Sequence, residues 1–321
     1  MTAPAVCVLG LGLIGGSLLR AAETTGRRAF GATKSGADAE QARADGFDVL
    51  PTVDAALARA AELDALVVVS VPLPAVDEVL RAVNRVAPRC RLTDVVGVKA
   101  PVLDAVVRLA PNARYAGGHP MAGLAASGWA VGDGRLFEKA AWMVSVDEGV
   151  DLQVWADVAR LALDVGAFVV PATADDHDAA VARISHLPHL LATTLAAVGA
   201  DGGPLSLTLA AGSFRDGTRV AGSRPELVTA MCEGNKVALL TVLDDALGRL
   251  GAARGSLAST GSIGVTVRAG HQGRGALDEF EPPELIADLA APGILATLRE
   301  LGRRGGRVTG LADTRSAGGP A

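Results

Sequence analysis

His119 stands in the segment Gly117-Gly118-His119-Pro120-Met121-Ala122-Gly123. An unperturbed imidazole titrates near pH ~6.5, so it can take a proton from a hydroxyl at neutral pH. The flanking glycines and proline describe a loop that holds such a ring rigidly. Residue type and context leave two readings open, a catalytic base and a structural loop histidine. Three further histidines follow at His177, His186 and His189. On a helix, His177 and His189 fall about 3.3 turns apart and within ~120° of each other, an arrangement suited to an anion. His186-x-x-His189 has a spacing that a metal could use. A closed zinc site needs more ligands and no cysteine accompanies the pair, so no metal is expected. His186 reads instead as a hydrogen-bonded core residue. Arg215 and Arg219 lie in a polar break, Gly212-Ser213-Phe214-Arg215-Asp216-Gly217-Thr218-Arg219-Val220-Ala221. Arginine grips a carboxylate with two parallel hydrogen bonds, which fits an acidic substrate. Pairing with Asp216 or another acid at a helix end is the alternative.

A second constellation is Gly10-Leu11-Gly12-Leu13-Ile14-Gly15. It follows the apolar run Ala5–Leu9 and opens a helical pattern, the context in which Gly-x-Gly-x-x-Gly binds a dinucleotide. Gly10 permits the tight turn, Gly12 lets the backbone approach a pyrophosphate, and Gly15 allows close helix–strand packing. The N–H groups of Leu13 and Ile14 lie at the helix start, where an anion is favoured. The next strand ends Thr33-Lys34-Ser35 with no acid. A carboxylate there would repel the 2′-phosphate of NADP, whereas Thr33, Ser35 and Lys34 can receive it. This leans towards NADP, with NAD as the alternative. Ser70, within the apolar run Leu66–Val71, joins the same coenzyme set.

These residues need a scaffold, and the chain of 321 residues has length for two domains. Its first part alternates apolar runs with helical patterns. That predicts a doubly wound, Rossmann-type α/β domain with a parallel sheet. Ala141–Val146, Leu152–Val165 and Phe168–Val170 are expected to complete that sheet. The texture changes near Pro171. The spans 175–199 and 225–251 read as helical, with Pro188 kinking the first or marking a boundary. Gly264–Val267 is the one weak strand signal in this part. The division is therefore 1–172 for dinucleotide binding, 173–280 for an all-α second domain, and 281–321 for a partly disordered tail. Within the tail, Pro283–Arg303 could form a helix.

Composition excludes several classes. Lys plus Arg is 30 and Asp plus Glu is 35, a net charge of −5, and only 3% of residues are aromatic. Neither supports nucleic-acid binding. Cys7, Cys90 and Cys232 lie far apart and are odd in number, which fits a reducing compartment. No apolar run reaches the ~20 residues needed to span a bilayer, so the expectation is a cytoplasmic protein.

Taken together, the motifs resemble the prephenate/arogenate dehydrogenases of tyrosine biosynthesis. The matching pieces are Gly10 through Ser17, Asp94 with Val98-Lys99, and Gly118-His119-Pro120-Met121-Ala122-Gly123. They continue in Ser185-His186-Leu187-Pro188-His189 and in Phe214-Arg215-Asp216 with Thr218-Arg219-Val220-Ala221. The resemblance covers roughly residues 5 to 275. It implies oxidative decarboxylation of a cyclohexadienol, with His119 accepting the ring hydroxyl proton. It also implies that Arg219 holds a substrate carboxylate, that His177 and His189 line the pocket, and that the helical domain forms a homodimer. The chain departs from the family at Gly97, where a serine is common, and at Ala125, where a glutamate is common. It also lacks a tryptophan near Leu227-Val228. No regulatory ACT domain is read after Ser256.

Prephenate with NADP or NAD is the leading reading, and arogenate the alternative. A β-hydroxyacid dehydrogenase would use a lysine in the helical domain, for which Lys236 beside Asn235 is available. A nicotinamide-binding sensor is the non-enzymatic alternative. The β-hydroxyacid reading does not explain His119 or Thr218-Arg219, and replacing His119 by Asn separates the sensor from a dehydrogenase.

Overall fold

A computed structural model describes residues 3–124 and 126–312. The elements run β1 (Val6–Leu9), α1 (Leu13–Thr24), β2 (Ala29–Ala32), α2 (Gly36–Ala44), α3 (Val53–Glu62), β3 (Leu66–Val69) and α4 (Val76–Val86). They continue with β4 (Arg91–Asp94), α5 (Ala100–Leu109), β5 (Arg114–Tyr115), β6 (Gly118–Pro120), β7 (Ala141–Ser145), α6 (Leu152–Asp164) and β8 (Phe168–Ala172). Helices α7 (Ala174–Val181), α8 (Leu187–Asp201), α9 (Gly203–Thr208), α10 (Gly212–Thr218), α11 (Pro225–Gly234), α12 (Lys236–Thr260) and α13 (Gly264–Glu279) follow. The last elements are β9 (Glu284–Ala287), α14 (Ile294–Arg303) and β10 (Arg307–Leu311).

The chain divides into two compact units. The first comprises Met1–Asp178, Arg224–Gly234 and Pro283–Ala321; the second comprises Ala179–Ser223 and Asn235–Pro282. The first unit thus includes the start of α7. Two later segments also return to that unit.

The first unit contains a parallel five-stranded sheet ordered β2-β1-β3-β4-β5. Strands β1, β2 and β3 are apolar on both faces because helices cover both. Val6, Val8, Leu66 and Val68 point into one core with Leu18, Leu19, Trp142 and Trp155. Cys7, Leu9, Val67 and Val69 point into the other, against α3, α4 and α5. This is the Rossmann-type domain expected. The strands β7 and β8 do not complete that sheet as expected. They form a second, mixed sheet ordered β6-β7-β8-β10-β9. The reason is a reversal of the chain: β6 pairs antiparallel with β7, taking this part of the chain into a separate ladder.

The tail also differs from expectation. The span 284–311 is a strand–helix–strand unit, with β10 antiparallel to β8 and parallel to β9. The helix expected over Pro283–Arg303 is confined to α14, because β9 takes the start and Gly293 at φ 73° sets the helix entry. Disorder expected in the last dozen residues concerns positions that, from 313 onward, lie outside the described residues. Gly264–Val267, the weak strand signal, is the first turn of α13.

The second unit is helical. A π-helical turn, Ala182–His186, joins α7 to α8 just before Pro188. Proline lacks an N–H and crowds the preceding turn, and the wider turn accommodates both defects. Several helices leave large apolar side chains in water, among them Val198, Leu205, Leu209, Val237, Leu240 and Val265. Among the described residues no helix is long and apolar enough to cross a membrane.

Candidate active site

A cleft of about 530 Å³ opens in the first unit. Its walls come from the turn Gly12–Ile14, from Ser70–Leu73 after β3, from Val95–Val98 after β4, from Ala122–Leu124 and Ala126–Gly128, and from α11. This lies beyond the carboxyl ends of parallel strands, where doubly wound sheets bind ligands. Gly10 has φ +103°, and a Cβ there would lie 2.3 Å from the Ser70 carbonyl oxygen. A Cβ on Gly15 would lie 1.9 Å from the Gly10 oxygen, so α1 packs too closely for any other residue. A Cβ on Gly12 would meet nothing within 4 Å, so the backbone there faces open space. The first turn of α1 carries no acid and no side-chain cap. Its N–H donors and dipole suit a pyrophosphate, so the residues present fit a dinucleotide. Leu13, Ile14 and Ser70 line this cleft as expected for coenzyme contacts.

Thr33, Lys34 and Ser35 follow β2 and have local partners. Thr33 Oγ1 accepts from the Ser35 N–H at 3.3 Å, and Ser35 Oγ accepts from the Asp38 N–H at 3.3 Å as the cap of α2. Lys34 is ion-paired with Glu78.

His119 is the middle residue of β6, so it sits on a strand rather than in a loop. Its Nδ1 lies 2.8 Å from Nε2 of His177, a ring that is 5% exposed. His177 Nδ1 lies 2.7 Å from Oδ1 of Asp178. The same carboxylate accepts the backbone N–H of Lys99 at 2.8 Å and of Ala100 at 2.9 Å. Burial pushes the Asp178 carboxyl up, but the bonds from His177 and from these two N–H groups outweigh it and hold it below the ordinary value. An ionised carboxylate only accepts, which with both imidazoles neutral sets the tautomers along the chain. His177 Nδ1 donates to Asp178, so His177 Nε2 accepts. His119 Nδ1 donates to His177, so His119 Nε2 carries a lone pair. That nitrogen lies on the Gly97 side, 3.7 Å from where a Cβ on Gly97 would be, and Gly97 lines the cleft.

A buried network holds β6 in place. The Lys99 ammonium is ion-paired with Asp94 and donates to the Gly118 carbonyl at 2.8 Å. Tyr115 donates its hydroxyl to the other Asp94 oxygen at 2.6 Å, and the Val96 N–H binds Oδ1 at 2.8 Å. Burial pulls the Lys99 ammonium down and pushes the Tyr115 hydroxyl well up, the latter helped by the adjacent Asp94 charge. Lys99 thus fixes the peptide preceding His119 with its side chain, while its backbone anchors Asp178.

The chain matches a family model described as "Prephenate dehydrogenase, nucleotide-binding domain" over residues 21–171, and one described as "Prephenate dehydrogenase, dimerization domain" over residues 173–260. It belongs to the prephenate dehydrogenase family. It is similar to a Corynebacterium glutamicum crystal structure provisionally assigned as a prephenate dehydrogenase. That match has 45% identity and a TM-score of 0.92, over 96% of this chain and 99% of the other. The cyclohexadienyl dehydrogenase of Zymomonas mobilis is 30% identical, over 79% of this chain and 88% of its own. The prephenate dehydrogenase of Bacillus subtilis is also 30% identical, over 75% of this chain, and the match spans 66% of its length.

The remaining expected residues lie in the second unit, which falls in the dimerisation domain of this family. The apolar side chains it exposes are what a homodimer interface requires. His189 donates from Nδ1 to the Ser185 carbonyl at 2.8 Å. Arg215 and Arg219 are exposed, on α10 and on the short turn that follows it. Among the described residues neither is ion-paired, so the pairing with Asp216 weighed from sequence does not form. His186 is buried, and Nδ2 of Asn235 lies 3.1 Å from its Nδ1, as expected of a core histidine. Lys236 is exposed, unlike the cleft lysine a β-hydroxyacid dehydrogenase would need. Among the described residues no group of three or more His, Cys, Asp or Glu is placed to hold a metal. Sequence reasoning missed Asp178 and the Asp94–Tyr115 bond. The signal for Asp178 was its adjacency to His177, and Asp94 stood in a quoted motif without a role.

Proposed function

We propose that the protein converts prephenate to 4-hydroxyphenylpyruvate and carbon dioxide by oxidative decarboxylation with a NAD(P) coenzyme. The observation that carries this is the Asp178–His177–His119 chain, which sets an imidazole lone pair beside the coenzyme cleft. Bound there, the nicotinamide supplies a hydride acceptor. His119 Nε2 takes the ring hydroxyl proton as the carbinol C–H bond gives up its hydride. The resulting imidazolium relays its charge through His177 towards Asp178, whose carboxylate stabilises it. The ring C–carboxylate bond then breaks, carbon dioxide leaves, and its electron pair aromatises the ring. His119 returns the proton to the phenolic oxygen, so proton and charge balance over the turnover. His177 acts in this reading as a positioning residue behind His119. Arg219, with Arg215 and His189, holds the substrate carboxylates.

We assign NADP as the preferred coenzyme because no acid follows β2 at Thr33-Lys34-Ser35. The cytoplasm is the compartment that suits three free thiols, Cys7, Cys90 and Cys232. The test crosses prephenate and arogenate with NAD and NADP, following reduced nicotinamide by absorbance. Turnover with prephenate, strongest with NADP and lost in His119→Asn, is the expected result. Faster turnover with arogenate would reassign the substrate. No turnover in any combination, with coenzyme still bound, would refute the reaction.

A further inference from the structure

The cleft walls are mostly apolar or glycine. Among the described residues lining it, two are charged, Asp38 and Arg224. Asp38 is already engaged, since its Oδ1 accepts the Trp129 N–H at 2.8 Å. Arg224 is therefore the cation of the cleft. A dinucleotide brings at least two negative charges to the same space, and Lys34, the cation suggested by sequence, does not line the cleft. Arg224 reaches the cleft from the residue before α11, in a segment that interrupts the chain of the helical unit. Its Nη1 donates to Ser127 Oγ at 3.1 Å, which ties the guanidinium to the cleft wall. The neighbouring Gly128 and Trp129 lie against Asp38 in the first turn of α2, on the side of the cleft that carries the adenosine half in this fold. The nearest acid, Glu226, is 3.8 Å away and largely exposed, so it neutralises Arg224 weakly.

We propose that Arg224 is a coenzyme-binding residue that clamps a phosphoryl group of the dinucleotide. Planar guanidinium and phosphate geometry match, and the bond is charge-assisted. The proposal rests on the dinucleotide reading of the cleft, and titration without ring substrate keeps the two separable. The full-length protein is titrated calorimetrically with NAD and with NADP, as wild type, Arg224→Ala and Arg224→Lys. Losing one charge-assisted bond weakens binding on the order of tenfold or more. Arg224→Lys is expected to lie in between, because lysine keeps the charge without the fork. An equal loss for both coenzymes places Arg224 on the pyrophosphate. A loss confined to NADP places it on the 2′-phosphate. Either supports the proposal. Dissociation constants within about twofold of wild type for both coenzymes would overturn it. So would unchanged coenzyme binding with a raised KM for the ring substrate, which would make Arg224 a substrate ligand. A wild type that binds neither coenzyme would remove the dinucleotide reading itself.

Discussion

Asp178→Asn is the sharpest test of the relay. The substitution keeps size and replaces one acceptor oxygen with an amide NH2. In the wild type Oδ1 accepts from both His177 and the Lys99 N–H, and Oδ2 accepts from the Ala100 N–H. An asparagine can place its NH2 on either side. Facing Ala100 it opposes an N–H, and a buried donor goes unmet. Facing His177 it forces that ring to accept at Nδ1 and donate from Nε2. His119 Nδ1 must then accept, which moves the proton to His119 Nε2, where the substrate hydroxyl proton has to go. Either orientation loses a backbone bond, costing about 1–3 kcal/mol of stability. Both also remove the negative charge that stabilises the imidazolium. General base catalysis contributes ~10²–10⁴-fold, and inverting a histidine tautomer in a hydrolase triad costs about 10⁴ in kcat. We expect kcat to fall ~10²–10⁴-fold, with coenzyme affinity unchanged. Steady-state kinetics with coenzyme varied at saturating ring substrate, with circular dichroism to verify folding, reads both quantities. A folded variant with kcat within about threefold of wild type, alongside an inactive His119→Asn, would refute the tautomer argument.

Other substitutions separate structure from binding. Gly15→Ala meets the Gly10 carbonyl and should lower the unfolding midpoint, while Gly12→Ala should leave stability unchanged and weaken coenzyme binding; thermal melts and titration distinguish them. Tyr115 holds its proton above the ordinary value of 10.0, so the folded state binds more protons than the unfolded chain as pH rises past that point. Stability should therefore fall above about pH 10, and the gap between wild type and a less stable Tyr115→Phe should narrow there, as urea unfolding across alkaline pH would report. Glutamate at Leu205 or Val265, side chains 70% and 77% exposed in the second unit, should shift the species seen by light scattering from dimer to monomer.

What could be read from sequence was local. The Gly10–Gly15 turn, the first parallel strands and the importance of His119 follow from short-range pattern, because glycine spacing and apolar runs report their own neighbourhoods. The partners of His119 did not follow. Adjacent helix positions do not face each other as a rule. Spacing alone therefore does not pair Asp178 with His177, yet its carboxylate reaches the ring of its neighbour within α7. Lys99 and Asp94 stood in a quoted motif, but nothing in their spacing says that a lysine can be buried whole. Ser35 read as a coenzyme contact, and the structure makes its hydroxyl the cap of α2. Strand β10 was missed because its partner β8 lies far away in sequence, and β9 with it because β9 pairs with β10.

That last pairing bears on how the protein is made. Val169 on β8 meets Val308 on β10, a partner that leaves the ribosome about 140 residues later. Until then β8 has an open edge, flanked by the apolar β7, while the whole helical segment is being synthesised. Exposed strand edges invite pairing with other chains. The first unit therefore cannot finish folding as an early autonomous domain. Its nucleotide cleft also waits for α11, so a nascent chain halted near residue 178 holds the glycine turn without the wall that carries Arg224.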